Sequence, residues 1–410
     1  MLTKLRATFE EYPRQFWLLM TAVFIDMTGG FLIFPFFSLY FTEKFGVGLT
    51  QVGLIYAIWS ITGLLGNAVG GALTDRTGRK GMVIYGLVLS ALTSLALALA
   101  PTFFWVYFAT AIGGTFSSVS QPAHQAMVAD ILPKEQYSDG YGMLRVIANV
   151  AFAIGPAIGG LLASVSFTLL FFLDAVSSIL AALFIARYLK ETQPSESSDK
   201  VKNQSVREVF RGYLEPLKDF KLIAVIVLSA LVGIVYFQWY FAVPVFMRDV
   251  HQFAPSVYGG LMSFAGVLVI IFQLPLTRKL KPIAAMNLMA ISGLIFAIGF
   301  GLFSIISAIS LFVLVFSIIT FGEMIFFPTR EAVVAKLAPE DLRGRYMAVA
   351  GLAFSLPNIV GPTMAGYLLD RQDPNLLWVL GAAICIFGAL GFLALRNQFA
   401  DNAEDAGSQE

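Results

Sequence analysis

The sequence predicts an all-α membrane protein of twelve transmembrane helices in two pseudo-symmetric six-helix bundles, and three observations predict it. First, 58% of the 410 residues are apolar and only 13% charged, with a mean hydropathy of +0.78, whereas a soluble domain is about half apolar and about a quarter charged. Second, mostly apolar runs of about 20 residues, the length a helix needs to cross the hydrocarbon core, recur twelve times. Third, the two halves resemble one another. PAHQAMVADILP from Pro122 aligns with PTREAVVAKLAP from Pro328, and Gly155-Pro156 with Gly361-Pro362, both at an offset of 206 positions. One offset near half the chain length points to a duplicated six-helix unit, and parallel repeats of that kind generate two bundles about a central path.

The elements follow in order. Residues 1–15, MLTKLRATFEEYPRQ, are too long and too acidic for a signal peptide and lack a small-residue cleavage site, so they read as a cytoplasmic tail. Span one, 16–41, carries Asp26, with Phe31 and Phe34 beyond it. Span two, 51–73, runs into the loop GGALTDRTGRK; span three covers 82–100, and span four, 104–130, ends on Asp130. Span five, 141–165, holds Arg145 and ANVAFAIGPAIGG, and span six, 167–188, holds Asp174. The polar stretch opening at Glu191 makes 189–221 a cytoplasmic linker with an amphipathic second half, separating a bundle at 16–188 from one at 222–396. Span seven, 222–247, presents Tyr236 and Tyr240 on one face, with Gln238 and Trp239 alongside. Spans eight to twelve cover 256–277, 283–302, 306–336, 345–369 and 376–396, and 397–410 form a short cytoplasmic tail.

Charge supports this threading. With both termini inside, twenty-three of the 27 Lys and Arg fall in inside segments and only Lys44, Arg248 and Arg371 outside; Arg145 lies within a span. Short loops rich in Lys and Arg stay on the cytoplasmic side, so this sorting places the protein as a multi-pass chain in the plasma or inner membrane. The net charge of +1 argues against nucleic-acid binding. A single cysteine, Cys385, sits inside span twelve, and only two His occur, so neither a disulfide nor a metal site is expected. No GxxxxGK[ST] loop and no nucleophile-with-base arrangement appears, which removes direct ATP use and enzymatic chemistry. No cofactor is expected; the expected partners are a small-molecule substrate, protons and the bilayer, with the chain acting as a monomer.

The loop after span two carries the most specific motif. Gly71 allows close helix approach, Asp75 marks a helix boundary, Gly78 permits a sharp turn, and Arg76, Arg79 and Lys80 hold the loop inside. An ordinary basic turn would satisfy the charge rule alone. Here the chain resembles the major facilitator superfamily, whose signature loop GxLxDRxGRK is matched at Gly71, Leu73, Asp75, Arg76, Gly78, Arg79 and Lys80. The resemblance implies an ionic latch of Asp75 and Arg79 with Asp130. The second-half counterpart, PLTRKLK, lacks the Asp and the Gly. In span five, Gly155, Pro156, Gly159 and Gly160 are similar to the family's antiporter motif GxxxGPxxGG, with Ala151 in place of the first Gly. Gly and Pro so spaced thin and bend a helix for tight packing, and generic small-residue packing is the alternative reading. The Arg that the antiporter pattern carries in span four is absent, with Ala109 and Thr110 at those positions; Arg145 is a candidate substitute.

Ionisable groups inside a membrane are costly and are functional candidates by default. Glu323 lies mid-span in FGEMIFFPTRE, followed by Phe326, Phe327 and Arg330 at helical spacings, and similarity to antiporters with a GE pair in span ten implies a proton or substrate role for it. Asp26 resembles the span-one acid of several drug antiporters, and Arg145 could neutralise one of the acids or cap a cytoplasmic vestibule. Asp174 reads as a helix-end or packing acid, Asn149 and Asn358 as interhelical hydrogen-bond glue, and His124 and Arg330 as gate or headgroup contacts. Tyr236, Gln238, Tyr240, Phe31 and Phe34 are candidate substrate-path residues, since aromatic surfaces suit lipophilic cations. The resemblance as a whole implies proton-coupled drug efflux by alternating access. Transport of a sugar, peptide or organic acid by the same fold is the alternative, and a membrane-embedded sensor or enzyme a more distant one.

Overall fold

The computed structural model describes residues 11–119, 121–192, 214–339 and 342–399, apart from the side chains of 67–77, 117, 119, 121, 122 and 138. Both tails and the linker therefore lie largely outside the described residues. Eleven described helical stretches are long and apolar enough to cross a membrane, and Phe103–Phe116 is a shorter apolar one at the place of span four.

The first half contains α1 (Arg14–Ile33), α2 (Phe37–Phe45), α3 (Leu49–Thr77), α4 (Arg79–Leu99), α5 (Phe103–Val119), α6 (Gln121–Ile131), α7 (Tyr137–Ala163) and α8 (Phe167–Tyr188). The second contains α9 (Phe220–Tyr236), α10 (Gln238–Asp249), α11 (Pro255–Leu280), α12 (Ala285–Leu302), α13 (Ile309–Leu337), α14 (Arg343–Ala350), α15 (Leu352–Arg371) and α16 (Pro374–Leu395). Among the described residues, three spans expected as single helices are interrupted. Span one turns through a 3-10 segment, Phe34–Phe36, around Pro35, which has no N–H to donate into the ladder. Span seven breaks at Phe237 and span eleven at Gly351.

The chain divides into two compact units: Met1–Gly46, Ile55–Gln204 and Ala254–Gly266 form one, and Val47–Leu54, Ser205–Phe253 and Val267–Glu410 the other. In the first, α1 packs on α7 and α8, and α4 on α5 and α8, around a core that includes Phe16, Leu19, Val83, Met127 and Ile185. In the second, α12 packs on α13 and α16, and α9 on α15 and α16. Its centre is aromatic: Trp378 lies 5.0 Å from Phe303 and 5.1 Å from Phe246, and Trp239 4.3 Å from Phe316. Outward-facing Leu161 and Leu274 are 65% and 67% exposed, which is tolerable on helices whose surroundings are hydrocarbon.

The units do not follow the sequence halves strictly, because glycines let one short segment of each half lie against the other half's backbone. In the second unit, a Cβ on Gly53 would stand 2.6 Å from the Thr363 backbone, and one on Gly366 2.5 Å from Leu49. In the first unit, a Cβ on Gly259 would overlap the Pro156 carbonyl, and one on Gly160 would stand 2.9 Å from the Pro255 carbonyl. These are the same contacts twice. Gly53 and Gly259, Gly160 and Gly366, and Pro156 and Pro362 are each 206 positions apart, so the internal repeat extends to backbone approach.

Carboxylates finish several helix starts, two of them as follows. Asp370 of α15 accepts from Leu49 N (2.9 Å), Thr50 N (2.8 Å) and Thr50 Oγ1 (2.6 Å) at the start of α3. Asp219 caps α9 by accepting from Lys221 N (2.9 Å) and Leu222 N (3.2 Å), and also accepts from the Tyr346 hydroxyl (3.1 Å). Loss of an N-cap costs about 1 kcal/mol. Asp219→Ala should therefore lower the thermal midpoint in detergent by a few degrees, and Asp219→Asn, which still accepts, should recover most of it. Equal midpoints for the alanine variant and the parent would refute the cap.

Candidate functional site

Glu323 sits midway along α13, and its carboxylate accepts a hydrogen bond from the Tyr236 hydroxyl. Tyr240, one turn on across the Phe237 break, has its hydroxyl 3.4 Å from that of Tyr236, and either hydroxyl can donate to the other. The ring of Phe327 meets Tyr236 at 4.9 Å and stacks on Phe354 at 5.3 Å. Two turns beyond Glu323, Arg330 places its guanidinium 3.8 Å over the Phe354 ring. That side chain is 4% exposed and its Nε has no hydrogen-bond partner; the neighbouring Glu331 is the carboxylate that acts on its charge. One acid, two hydroxyls, an aromatic wall and one cation thus share a region of the second unit. Burial of a cation is costly, and the Phe327 and Phe354 rings face the Arg330 guanidinium.

Gln238 departs from its expected company. Two residues from each tyrosine, it lies on the opposite side of the helix: its Nε2 donates to Ile234 O at 2.7 Å, and it lines a separate cavity among α9, α15 and α16.

In the first unit, Asp26 accepts from Ser178 Oγ at 2.9 Å, and Asp174 accepts from the Ser94 hydroxyl. Gly29, one turn from Asp26, has no room for a Cβ, which would lie 3.1 Å from Asp174 Oδ1. The two acids therefore form one oxygen-rich cluster where α1, α4 and α8 meet. Asp174 also borders a cavity of about 190 Å³ with Phe34, Phe37, Tyr56 and Trp59. Sequence reasoning assigned Asp174 to packing; its four-residue spacing from Ser178 is the signal that pairs it with Asp26. Phe34 faces that cavity. Phe31 instead packs edge-on to Phe152 at 5.2 Å. Arg145 is an exposed residue of α7.

At the signature loop, the side chains of Gly71, Asp75 and Arg76 lie outside the described residues. Gly78 has φ +94°, a conformation that favours glycine. Arg79 Nε lies 3.3 Å from Asp130 Oδ2. Glu191, assigned to the linker from sequence, accepts from Arg79 N at 2.9 Å and Lys80 N at 3.3 Å, closing the start of α4. Lys80 Nζ donates to the carbonyls of Ala186 and Leu189, each at 2.8 Å, at the end of α8. The small residues of span five lie at close approaches. A Cβ on Gly155 would be 2.6 Å from Phe31 Cβ, one on Gly159 would overlap the Leu32 carbonyl, and Pro156 and Gly160 meet the first residues of α11. Ala157 N donates to Ser263 Oγ at 2.8 Å in the same contact.

Comparison with known proteins matches this architecture. A "Na(+), Li(+), K(+)/H(+) antiporter" of Planococcus maritimus is 28% identical over 382 residues, covering 86% of this chain and 89% of that protein. "Multidrug resistance protein MdtH" of Shigella flexneri is 24% identical, covering 90% of each. Among solved structures, a point mutant of the nucleoside transporter NupG superposes with a TM-score of 0.83 at 15% identity, over 93% of this chain and all of that one. A POT family transporter in complex with 5-aminolevulinic acid superposes at 0.79 and 14% identity, over 95% and 97%. The profile described as Major Facilitator Superfamily matches residues 19–362. A multi-pass helical chain with duplicated halves, matched to that profile over most of its length, is a transporter of small molecules and not an enzyme, and it belongs to the major facilitator superfamily.

Proposed function

We propose that the protein is a proton-coupled antiporter that exports lipophilic or cationic small molecules by alternating access, with Glu323 as the group that takes either the proton or the substrate's charge. The observation that carries this reading is the setting of Glu323: one carboxyl, held by Tyr236 and Tyr240 against an aromatic wall, with no cation pairing with it among the described residues. Such a group is free to exchange a proton for an organic cation, which the rings also attract. The likeness to MdtH supports the substrate class. Asp26 and Asp174 form a second acidic station, and the Arg79–Asp130 pair with Gly78 serves as a latch whose making and breaking biases one access state. Both termini face the cytoplasm in this reading.

A second reading, exchange of inorganic monovalent cations for protons, is favoured by the antiporter of Planococcus maritimus and by the all-oxygen cluster of Asp26, Asp174, Ser94 and Ser178. The test is transport into proteoliposomes under an imposed pH gradient, with a lipophilic cation, Na+, Li+, K+, a nucleoside and a dipeptide offered separately. Gradient-dependent accumulation of the lipophilic cation alone is expected. Accumulation of Na+ or Li+ instead selects the second reading, and accumulation of only the nucleoside or dipeptide overturns both.

A further inference from the structure

The two sequence halves meet through backbone at the glycine contacts described above, and a carboxylate clamp also joins them. Asp370, at the end of α15 in the second half, holds the first turn of α3, in the first half, through Leu49 N at 2.9 Å, Thr50 N at 2.8 Å and Thr50 Oγ1 at 2.6 Å. Gly48 leaves room for the carboxylate, since a Cβ there would stand 2.6 Å from Asp370 Oδ2. The backbone approach of Gly53 to Thr363 and of Gly366 to Leu49 brings the two helices close enough for so short a side chain to reach. As a result α3 begins in the second unit, as residues 49–54, and continues in the first from Ile55. The repeat-related junction is built otherwise. Ser164 stands where Asp370 does, 206 positions earlier, and its hydroxyl donates within its own helix to Gly160 O at 3.0 Å. The partner helix there, α11, begins on Pro255, which has no N–H to offer. The duplicated packing contact therefore carries a carboxylate clamp in one copy and not in the other. The signature loop follows the far end of α3, about 44 Å away at 1.5 Å per residue. Its Arg79–Asp130 pair and Glu191 cap tie together segments of the first half alone, whereas Asp370 ties one half to the other.

We propose that Asp370 is the lock of the transport cycle at this end of α3: its carboxylate holds the two halves together in the present conformation and lets go of the α3 start when the path opens at that end. This rests on the alternating-access reading, in which the halves separate on each side of the membrane in turn. The chemistry suits a contact that is remade in every cycle. A carboxylate at a helix N-terminus is favoured by the backbone N–H groups and the helix dipole, so the closed arrangement is specific. Asp370 is also exposed, so water competes for the same hydrogen bonds and release costs no more than the loss of an ordinary cap.

The test uses the full chain in lipid nanodiscs, with two spin labels whose separation is read by double electron–electron resonance. Cys385→Ala removes the only cysteine, and Leu54→Cys on α3 with Gln372→Cys after α15, both at exposed positions, carry the labels. Two separations are expected, a short one with the clamp made and a minor long one with it released. Asp370→Ala should raise the long-to-short ratio about fivefold, roughly the worth of one N-cap expressed as a ratio of populations. Thr50→Val loses only the hydroxyl bond, disturbs folding less and should raise the ratio by a smaller factor, and Asp370→Asn, which still accepts, should stay near the parent. Asp219→Ala is the control, because it removes a cap that lies within one half: it should lower the thermal midpoint and leave the separations as in the parent. A ratio unchanged in both Asp370→Ala and Thr50→Val, or an equal shift in Asp219→Ala, overturns the lock. One separation in the parent and in every variant overturns alternating access with it. Glu323→Gln should keep both separations, so failure of the lock is distinguishable from failure of proton coupling.

Discussion

Glu323→Gln should reduce pH-gradient-driven accumulation of substrate in proteoliposomes to the level of protein-free vesicles while leaving the protein folded. Glutamine has the shape of the acid and can still accept from the Tyr236 hydroxyl, so the packing around α13 is kept. It cannot release or take up a proton, and it carries no charge for an organic cation. Coupling therefore disappears even where passive exchange survives, and the two are separated by measuring downhill efflux without a gradient. Tyr236→Phe is the graded companion. It removes one hydrogen bond to a charged group, worth about 1.5–3 kcal/mol, and so should weaken substrate affinity about tenfold or more. Tyr240→Phe removes the hydroxyl that meets Tyr236 and should do less. Unchanged coupling in Glu323→Gln would remove Glu323 from the mechanism and leave the Asp26–Asp174 cluster as the place to look.

Much of this site could be read from sequence because its parts are periodic. Tyr236 and Tyr240 are one turn apart, Glu323 and Phe327 likewise, and a carboxyl in the middle of an apolar run is conspicuous by cost alone. What the sequence hid depends on where helices break and which helices meet. Gln238, two residues from both Tyr236 and Tyr240, is on the opposite side of the helix from them, as a period of 3.6 requires, and nothing in the local sequence marks the break at Phe237. Pro35 does mark the break in span one. Asp174 looked like a helix-end acid until α4 supplied Ser94 and α1 supplied Gly29 beside it, contacts between elements 80 and 145 positions apart. Glu191 fell in a polar linker, where its capping of α4 depends on the end of α8 returning to Gly78. The twelve apolar runs, by contrast, were legible because membrane thickness dictates their length.

Gly259→Ala and Gly260→Ala should change stability in opposite directions, although they are neighbours in one helix. Intrinsic helix propensity favours alanine over glycine by about 1 kcal/mol, and nothing within 4 Å of Gly260 opposes an added methyl. That variant should unfold in detergent at the parent's midpoint or slightly above it. At Gly259 the added methyl overlaps the Pro156 carbonyl and stands 3.0 Å from Gly160 Cα. Both obstacles are backbone, so no side chain can rotate aside and α11 must move off α7. Overpacking of this kind costs about 1–3 kcal/mol, enough to outweigh the propensity gain. Gly53→Ala tests the same argument in the other half, where the methyl would lie 2.6 Å from the Thr363 backbone at the repeat-related position. It should lower the midpoint by a similar amount. Equal effects at Gly53 and Gly259, with none at Gly260, would tie the duplicated sequence to a duplicated packing contact. A destabilising Gly260→Ala, or a neutral Gly259→Ala, would mean that these glycines are retained for a reason other than backbone approach.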